Sequence, residues 1–145
     1  MKYLLMVLVA LVLPVYAEAQ INADGDGTAI HGYDPVAYFT EGRPTPGSER
    51  YSYTWQGAQW RFASEENRRL FEADPERYAP QYGGFCAFAV SRGGTADIDP
   101  EAWSIVDGRL FLNLSPFVQR RFELRLNHNI EEADRKWPEV RREVR

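Results

Sequence analysis

Residues 51–62, Tyr-Ser-Tyr-Thr-Trp-Gln-Gly-Ala-Gln-Trp-Arg-Phe, predict a β-hairpin from which the rest of the fold can be worked out. Aromatic residues recur at every second position on either side of Gln56-Gly57, as they do on one face of a strand. The Gln-Gly pair itself suits a tight two-residue turn. Ser64 then predicts the N-cap of a helix, and the acidic Glu65 and Glu66 favour its first turn.

A second hairpin is predicted further along the chain, and it carries the strongest turn signal. Residues 103–106 and 109–114 are rich in strand-forming side chains, and Asp107-Gly108 joins them. Ser115-Pro116 reads as an N-cap followed by proline at the first helical position. The apolar run 84–90 fits either a buried strand or the start of a helix.

The last helix is predicted from a capping pattern and an apolar face. Asn129 with Glu132 three residues later resembles a capping box, so we expect this helix to begin there. Pro138 should kink or restart the helix. No internal repeat is apparent in the sequence.

Together these elements predict an α+β fold, with small antiparallel β-hairpins packed against short α-helices. Residues 33–145 should form a single domain, with a core motif at 33–90 and a C-terminal hairpin and two helices at 101–145. Residues 20–32, whose middle is rich in Asp and Gly, should form a flexible N-terminal arm.

The first residues predict export. Residues 1–19 have an early lysine, a short apolar run and a small-x-small ending, which is the pattern of a secretory signal peptide. Cleavage is expected after Ala19 or Ala17, and the apolar run is too short to span a bilayer. We therefore expect a periplasmic or secreted protein with no membrane span after signal removal.

The charge pattern argues against nucleic acid. The net charge is −4, and nucleic-acid binding would need a basic face. Arg120, Arg121 and Arg125 are interspersed with acidic residues at helical spacing, which is typical of a solvated face. A site for an acidic partner is the alternative.

Cys86 is the only cysteine, so no internal disulfide can form. Its neighbours are apolar, and no adjacent basic residue would lower the pKa of the thiol. Burial as a small hydrophobic residue is the favoured interpretation. A reactive thiol, a metal ligand and an intermolecular disulfide are the alternatives.

Several uncommon residues are similar in kind and spacing to those of the YHS domain family. The matching motifs are Asp34-Pro35-Val36, Tyr53-x-Trp55-x-Gly57, Trp60-x-Phe62-x-Ser64 and Phe71-x-x-Asp74-Pro75-x-x-Tyr78. The remainder, from Tyr78 to Trp137, resembles the exported, stand-alone YHS-domain proteins of bacteria. The resemblance implies a YHS core related to cysteine-rich metal-binding modules, extended by a C-terminal hairpin and two helices.

The resemblance also implies which metal ligands are missing. Metal-binding members carry cysteines at the positions that are Ala37, Ala63 and Asn67 here, and the histidine of the family name falls at Trp55. None of these four residues supplies the thiolate or imidazole that a soft metal needs. The family's metal site is therefore expected to be absent.

Cys86 and His128 are the remaining candidates for a replacement metal site. If the fold brings them together, they can hold Cu(I) between a sulfur and a nitrogen atom, so copper binding or trafficking is the alternative function. The same two residues would serve as nucleophile and base in a thiol-dependent enzyme, which is a minor alternative.

The main expectation is a non-catalytic, exported binding or accessory module without a cofactor. Its partner would be an unidentified protein or small ligand. Aromatic residues beside Pro and Gly can line a cleft, although core packing explains any single ring as well. The candidate ligand cleft consists of Asp34, Tyr38, Tyr82, Gly83, Gly84 and Cys86.

Overall fold

The computed structural model describes residues 20–144, and the predicted signal peptide at 1–19 lies outside them. The strands are β1 (Ser48–Trp55), β2 (Ala58–Phe62), β3 (Asp99–Val106) and β4 (Arg109–Asn113). The helices are α1 (Ala37–Thr40), α2 (Glu65–Ala73), α3 (Pro75–Tyr78), α4 (Ala87–Ser91), α5 (Pro116–Leu124) and α6 (Leu126–Glu143). Two 3-10 turns span Ile30–Gly32 and Tyr82–Gly84.

Both predicted hairpins are present, and they confirm the α+β class. β1 pairs with β2 and β3 pairs with β4, each as a two-stranded antiparallel sheet. In the first turn Gln56 has φ 49° and Gly57 has φ 75°, and in the second Asp107 has φ 50° and Gly108 has φ 75°. Positive φ at both central residues matches the right-handed twist of the strands that they connect.

A serine caps the helix after each hairpin, as the sequence predicts. The Ser64 hydroxyl accepts a hydrogen bond from the Asn67 backbone N–H at 3.1 Å. The Ser115 hydroxyl accepts one from the Val118 backbone N–H, also at 3.1 Å. Each cap satisfies a donor that has no partner inside the helix, which fixes where the helix begins.

The two hairpin–helix segments repeat one architecture, although no repeat is apparent in the sequence. β1 and β3 each have 8 residues, β2 and β4 each have 5, and α2 and α5 each have 9. Their first residues lie 51 positions apart in every case, at 48 and 99, 58 and 109, and 65 and 116. The register of each hairpin also shifts at the same place. We call residues 30–73 the first unit and residues 82–124 the second unit.

Each unit also begins with the same unusual backbone. Three consecutive residues have positive φ at Ile30–Gly32, with values of 42°, 58° and 76°. The same occurs 52 positions later at Tyr82–Gly84, with values of 58°, 63° and 82°. Left-handed backbone costs energy for residues other than glycine, so its recurrence shows that the turn is part of the architecture.

Residues 21–29 pack against both units, although the sequence predicts a flexible arm at residues 20–32. The Asn22 backbone N–H donates to the Gly83 carbonyl at 2.8 Å, and the Ile30 N–H donates to the Asn22 carbonyl at 2.9 Å. Ile30 is 1% exposed and belongs to the core. The polar composition that suggested mobility is confined to a short turn around Gly25.

The hydrophobic core is divided into two clusters that follow the two units. Trp60, Phe62 and Phe71 are fully buried in the first cluster. Phe111 and Phe122 are fully buried in the second. A helix and a hairpin of this size each bury one apolar face, and the rings pack where the two faces meet. The ring centroids are 5.1 Å apart for Phe62 and Phe71 and 5.5 Å apart for Phe111 and Phe122.

Helix α6 covers the second unit and begins earlier than the capping pattern predicts. It starts at Leu126, and Asn129 lies inside it with 6% exposure. The Asn129 side chain donates to the Phe122 carbonyl at 2.9 Å, which ties α6 to the end of α5. The helix also continues through Pro138, so it does not restart there. No helix between residues 20 and 144 is both long and apolar enough to cross a membrane.

Candidate functional site

Asp34 is the buried polar centre of the first unit. Its side chain is fully buried. Oδ1 accepts hydrogen bonds from the backbone N–H groups of Val36 at 2.8 Å and Ala37 at 3.2 Å. Oδ2 accepts from the Ala63 N–H and from the Asn67 side-chain amide, both at 2.8 Å. Four donors therefore converge on one carboxylate.

The Asp34 centre occupies the place where the family resemblance puts cysteine ligands. Ala37, Ala63 and Asn67 correspond to those cysteines, and each gives a hydrogen bond to Asp34. The carboxylate joins the start of α1, the end of β2 and the first turn of α2. A buried charge with all of these donors is a structural group, because its acceptor capacity is used within the fold.

Cys86 lies at the corresponding centre of the second unit. It is 1% exposed, and its Sγ accepts the Leu114 backbone N–H at 3.3 Å. The thiol lies 3.5 Å from Asn113 Oδ1, which also accepts the Phe88 backbone N–H at 3.0 Å. Cys86 follows Asp34 by 52 positions, and Leu114 follows Ala63 by 51. The predicted burial of Cys86 agrees with this placement.

The two candidate metal residues lie in different surroundings. Cys86 is enclosed by Asn113 and Leu114, whereas His128 is exposed on α6. His31, the other histidine, is paired through Nε2 with Asp97 Oδ1 at 2.8 Å. Within the part of the chain that is described, no group of three or more His, Cys, Asp or Glu side chains is arranged to hold a metal ion.

The two tyrosines of the predicted ligand cleft are also held internally. Tyr38 donates its hydroxyl to the Pro100 carbonyl at 2.8 Å, and burial raises the pKa of this phenol above its usual value. Tyr82 donates to Asp134 Oδ1 at 2.8 Å. Burial, followed by the Asp134 carboxylate, raises the pKa of Tyr82. Arg109 completes this group at 2.7 Å from Asp134.

The six predicted cleft residues do not surround one cavity. Tyr82 and Gly83 line a cleft of about 390 Å³ together with Trp55 and Trp137. Gly84 is buried beside them, where an added Cβ would approach an Ile30 methyl carbon at 2.6 Å. The remaining three, Asp34, Tyr38 and Cys86, lie in the interior.

A second cleft, of about 430 Å³, lies between α4, α5 and α6, and we call it the basic cleft. It contains more positive than negative side chains. Its titratable lining residues are Arg92, Arg121, Arg125, His128, Glu132 and Lys136. Four of these are arginine or lysine side chains and one is a glutamate, in a protein whose net charge is −4.

Packing contacts hold the cations of the basic cleft in place. The Phe88 ring has the Arg92 guanidinium carbon 5.1 Å from its centroid and the Arg121 guanidinium carbon at 5.4 Å. Cation–π contacts of this kind orient guanidinium groups without neutralising them. Lys136 Nζ donates to the Ser91 carbonyl at 2.8 Å and lies 3.2 Å from Glu132.

The carboxylate in the basic cleft, Glu132, forms ion pairs with Arg135 and Lys136. Arg135 and then Lys136 lower the pKa of Glu132. Among residues 20–144, no carboxylate lies within salt-bridge distance of Arg92, Arg121 or Arg125. All three of these arginines are exposed.

Sequence reasoning kept an acidic-partner site only as an alternative and could not assemble the basic cleft, because its residues come from three separate elements. Arg121 and Arg125 are visible as an i, i+4 pair, but mixed charges around them favour the interpretation of a solvated face. Arg92 and Lys136 are distant in sequence, and only the packing of α4 against α6 brings them to the same cleft.

The fold and these sites define a small α+β protein of two hairpin–helix units with buried polar centres and an open basic cleft. The model of the YHS domain family matches residues 36–82, which include most of the first unit and α3. Residues 36–82 are therefore identified as a YHS domain. Searches of curated proteins and of solved structures found no match to this chain.

Proposed function

We propose that this protein is an exported, non-catalytic binding module whose ligand is an anion held in the basic cleft. The observation that carries the proposal is the group of three arginines, Arg92, Arg121 and Arg125, which have no carboxylate partner within residues 20–144. A concave site that concentrates uncompensated positive charge attracts anions and raises their local concentration.

The type of cation in the basic cleft favours an oxyanion. A guanidinium group presents a planar fork of N–H donors that matches the oxygen atoms of carboxylate and phosphate. The Phe88 ring holds two of these groups, Arg92 and Arg121, so less side-chain freedom is lost when a ligand binds. With Glu132 already paired, the excess positive charge suits a ligand with more than one negative charge.

The internal use of the reactive side chains supports a non-catalytic function. The Cys86 thiol lies in the interior with Asn113 and Leu114, and the Asp34 carboxylate accepts four hydrogen bonds. A nucleophile needs a base within hydrogen-bond reach, and His128, the base considered for Cys86, is exposed on α6.

Export is part of the same proposal, and it rests on the signal-peptide pattern of residues 1–19. N-terminal sequencing of the protein recovered from the periplasm or medium should give Gln20 or Glu18 as the first residue. A protein that keeps Met1 and stays in the cytoplasm would contradict this part.

Anion binding is tested by titrating the protein with inorganic phosphate and pyrophosphate, using calorimetry or amide NMR shifts. We expect pyrophosphate to bind more tightly than phosphate, and Arg121→Gln to weaken binding by about 10-fold or more, because a charge-assisted hydrogen bond contributes about 1.5 to 3 kcal/mol. Binding should also weaken as salt is added.

Arg50→Gln is the matched control. Arg50 is exposed and lies over the Tyr51 ring at 5.4 Å, much as Arg121 lies over Phe88, but it does not line the basic cleft. The control variant should bind pyrophosphate as the wild type does. The proposal is wrong if neither anion binds, or if the two variants lose affinity equally.

A further inference from the structure

An exposed apolar groove adjoins the basic cleft on α5. It has a volume of about 420 Å³, and Phe117 and Leu124 supply its apolar walls. Arg121 and Leu124 line both this groove and the basic cleft, so the two are continuous. An apolar surface and a cationic surface therefore meet along one helix.

The apolar side chains of this groove are unusually exposed for their size. Phe117 is 61% exposed and Leu124 is 81% exposed, and Leu114, just before the helix, is 47% exposed. Phe117 and Leu124 are seven residues apart, which places them on the same face of α5. Exposed apolar residues that cluster in this way mark an interaction surface.

The unpaired charged side chains around the groove are positive. Arg120 and Arg121 line it, together with Glu123. The Glu123 carboxylate accepts hydrogen bonds from the Ser104 hydroxyl at 2.7 Å and from the Gln119 amide at 3.0 Å, so it is held toward β3. The combination of exposed Phe and Leu with arginines is typical of segments that lie at a membrane surface.

We propose that this face of the protein docks on an anionic phospholipid surface, with a headgroup phosphate in the basic cleft and Phe117 and Leu124 inserted at the acyl boundary. The inference rests on the proposed anion binding and identifies where the anion comes from. Charge complementarity favours this occupant, because anionic headgroups attract clustered arginines. The net charge of −4 then orients the protein with this face toward the bilayer.

A second copy of the chain is a poorer occupant for the same face. In a two-fold dimer each patch meets its own copy, so the arginines of the two basic clefts would face one another. Like charges that approach across an interface are strongly unfavourable unless an anion lies between them. A small soluble phosphate is also a poorer occupant, because it would not cover the exposed Phe117 and Leu124 side chains.

The test is co-sedimentation with vesicles, using a protein that begins at Gln20. This protein keeps every residue of the two hydrophobic clusters described above. We expect it to bind vesicles of phosphatidylglycerol and phosphatidylcholine mixed 1:2, and to show little binding to phosphatidylcholine alone. Phe117→Ser should lower vesicle affinity at least 10-fold and leave pyrophosphate affinity unchanged, because Phe117 does not line the basic cleft. Phe117→Ser/Leu124→Ser should lower vesicle affinity further. Arg121→Gln should weaken the binding of both.

Ile105→Ser is the matched control, because Ile105 is an exposed apolar residue, at 36%, that lines neither the groove nor the basic cleft. It should bind vesicles as the wild type does. Circular dichroism on each variant confirms that the fold is retained, which we expect because the substituted residues are exposed.

The outcomes separate this inference from the proposed function. If pyrophosphate binds but vesicles do not, or if the double serine variant binds vesicles normally, the lipid inference is wrong and anion binding stands. If neither ligand binds, both are wrong. Dimerisation in light scattering that the double serine variant abolishes, without vesicle binding, assigns the face to a second copy and also overturns the lipid inference.

Discussion

Asp34→Asn is the substitution that tests most directly how the first unit is held together. The change keeps the size of the side chain and replaces one acceptor oxygen with an NH2 group. Each carboxylate oxygen of Asp34 accepts two hydrogen bonds, so in either orientation of the new amide its NH2 group faces two N–H donors. A buried donor without an acceptor costs about 1 to 3 kcal/mol. Because Ala63 is exposed and its N–H can reach water, we expect a loss of about 2 to 4 kcal/mol.

The loss is measured by urea unfolding, followed by tryptophan fluorescence. It would be a large part of the stability of a domain that unfolds at a cost of about 5 to 15 kcal/mol. Asp107→Asn is the control with the same change of charge, since Asp107 is exposed in the second hairpin turn and should shift stability by about 0.5 kcal/mol or less. Asn67→Ala removes one donor and leaves three on Asp34, so it should cost less than Asp34→Asn.

A loss below about 1 kcal/mol for Asp34→Asn would refute the reasoning, because the buried centre would then lose an acceptor at almost no cost. An equal loss for Asp107→Asn would also refute it, since net charge and not the buried centre would then control stability.

The other predictions concern backbone, thiol, metal and pH. Gly84→Ala should destabilise the protein more than Gly93→Ala does. Both glycines have positive φ, +82° and +87°, but only at Gly84 would the added Cβ meet another side chain, through a methyl of Ile30. Equal losses of stability in urea unfolding would contradict this. Cys86, at 1% exposure, should react slowly with Ellman's reagent when native and fast when unfolded, and fast native labelling would indicate an accessible thiol. The native protein should contain no stoichiometric zinc. A Cu(I) titration should give the same result for Cys86→Ser as for the wild type, and Cu(I) binding that this variant loses would support copper handling. Burial alone would raise the pKa of Asp134, but hydrogen bonds from its neighbours lower it. The ionised Asp134 therefore stabilises the folded protein fully above the ordinary carboxyl pKa, and this contribution is lost as pH falls through the lowered pKa. Asp134→Asn should therefore flatten the acid side of the stability profile, and an unchanged slope below about pH 4 would contradict the assignment.

The sequence predicts well those features that a few neighbouring residues control. The turns at Gln56-Gly57 and Asp107-Gly108 and the caps at Ser64 and Ser115 all occur where expected. Each depends on local backbone geometry or on a side chain that reaches a donor three residues away. The start of α6 fails for the opposite reason, because the Asn129 side chain bonds across to α5 and does not cap its own helix.

The internal repeat was hidden because it preserves geometry with few identical residues. Trp60 corresponds to Phe111, and Asp34 corresponds to Cys86, so one buried centre is a carboxylate and the other a thiol beside an amide. A hairpin and its helix need an aromatic residue on the buried face and a buried acceptor, and several residue types meet those needs. Comparison of residue identities therefore misses a similarity that the strand lengths and register show plainly.

The sequence by itself determined the α+β class, the two hairpins, the capped helices and the resemblance to the YHS family. These depend on short-range rules of turn, cap and periodicity, which act within a few residues. Only the tertiary structure decided which polar groups are buried and which are free. Asp34 and Cys86 are enclosed because distant backbone donors reach them. Arg92 and Arg121 share the Phe88 ring because α4, α5 and α6 pack together, and that long-range packing creates the basic cleft.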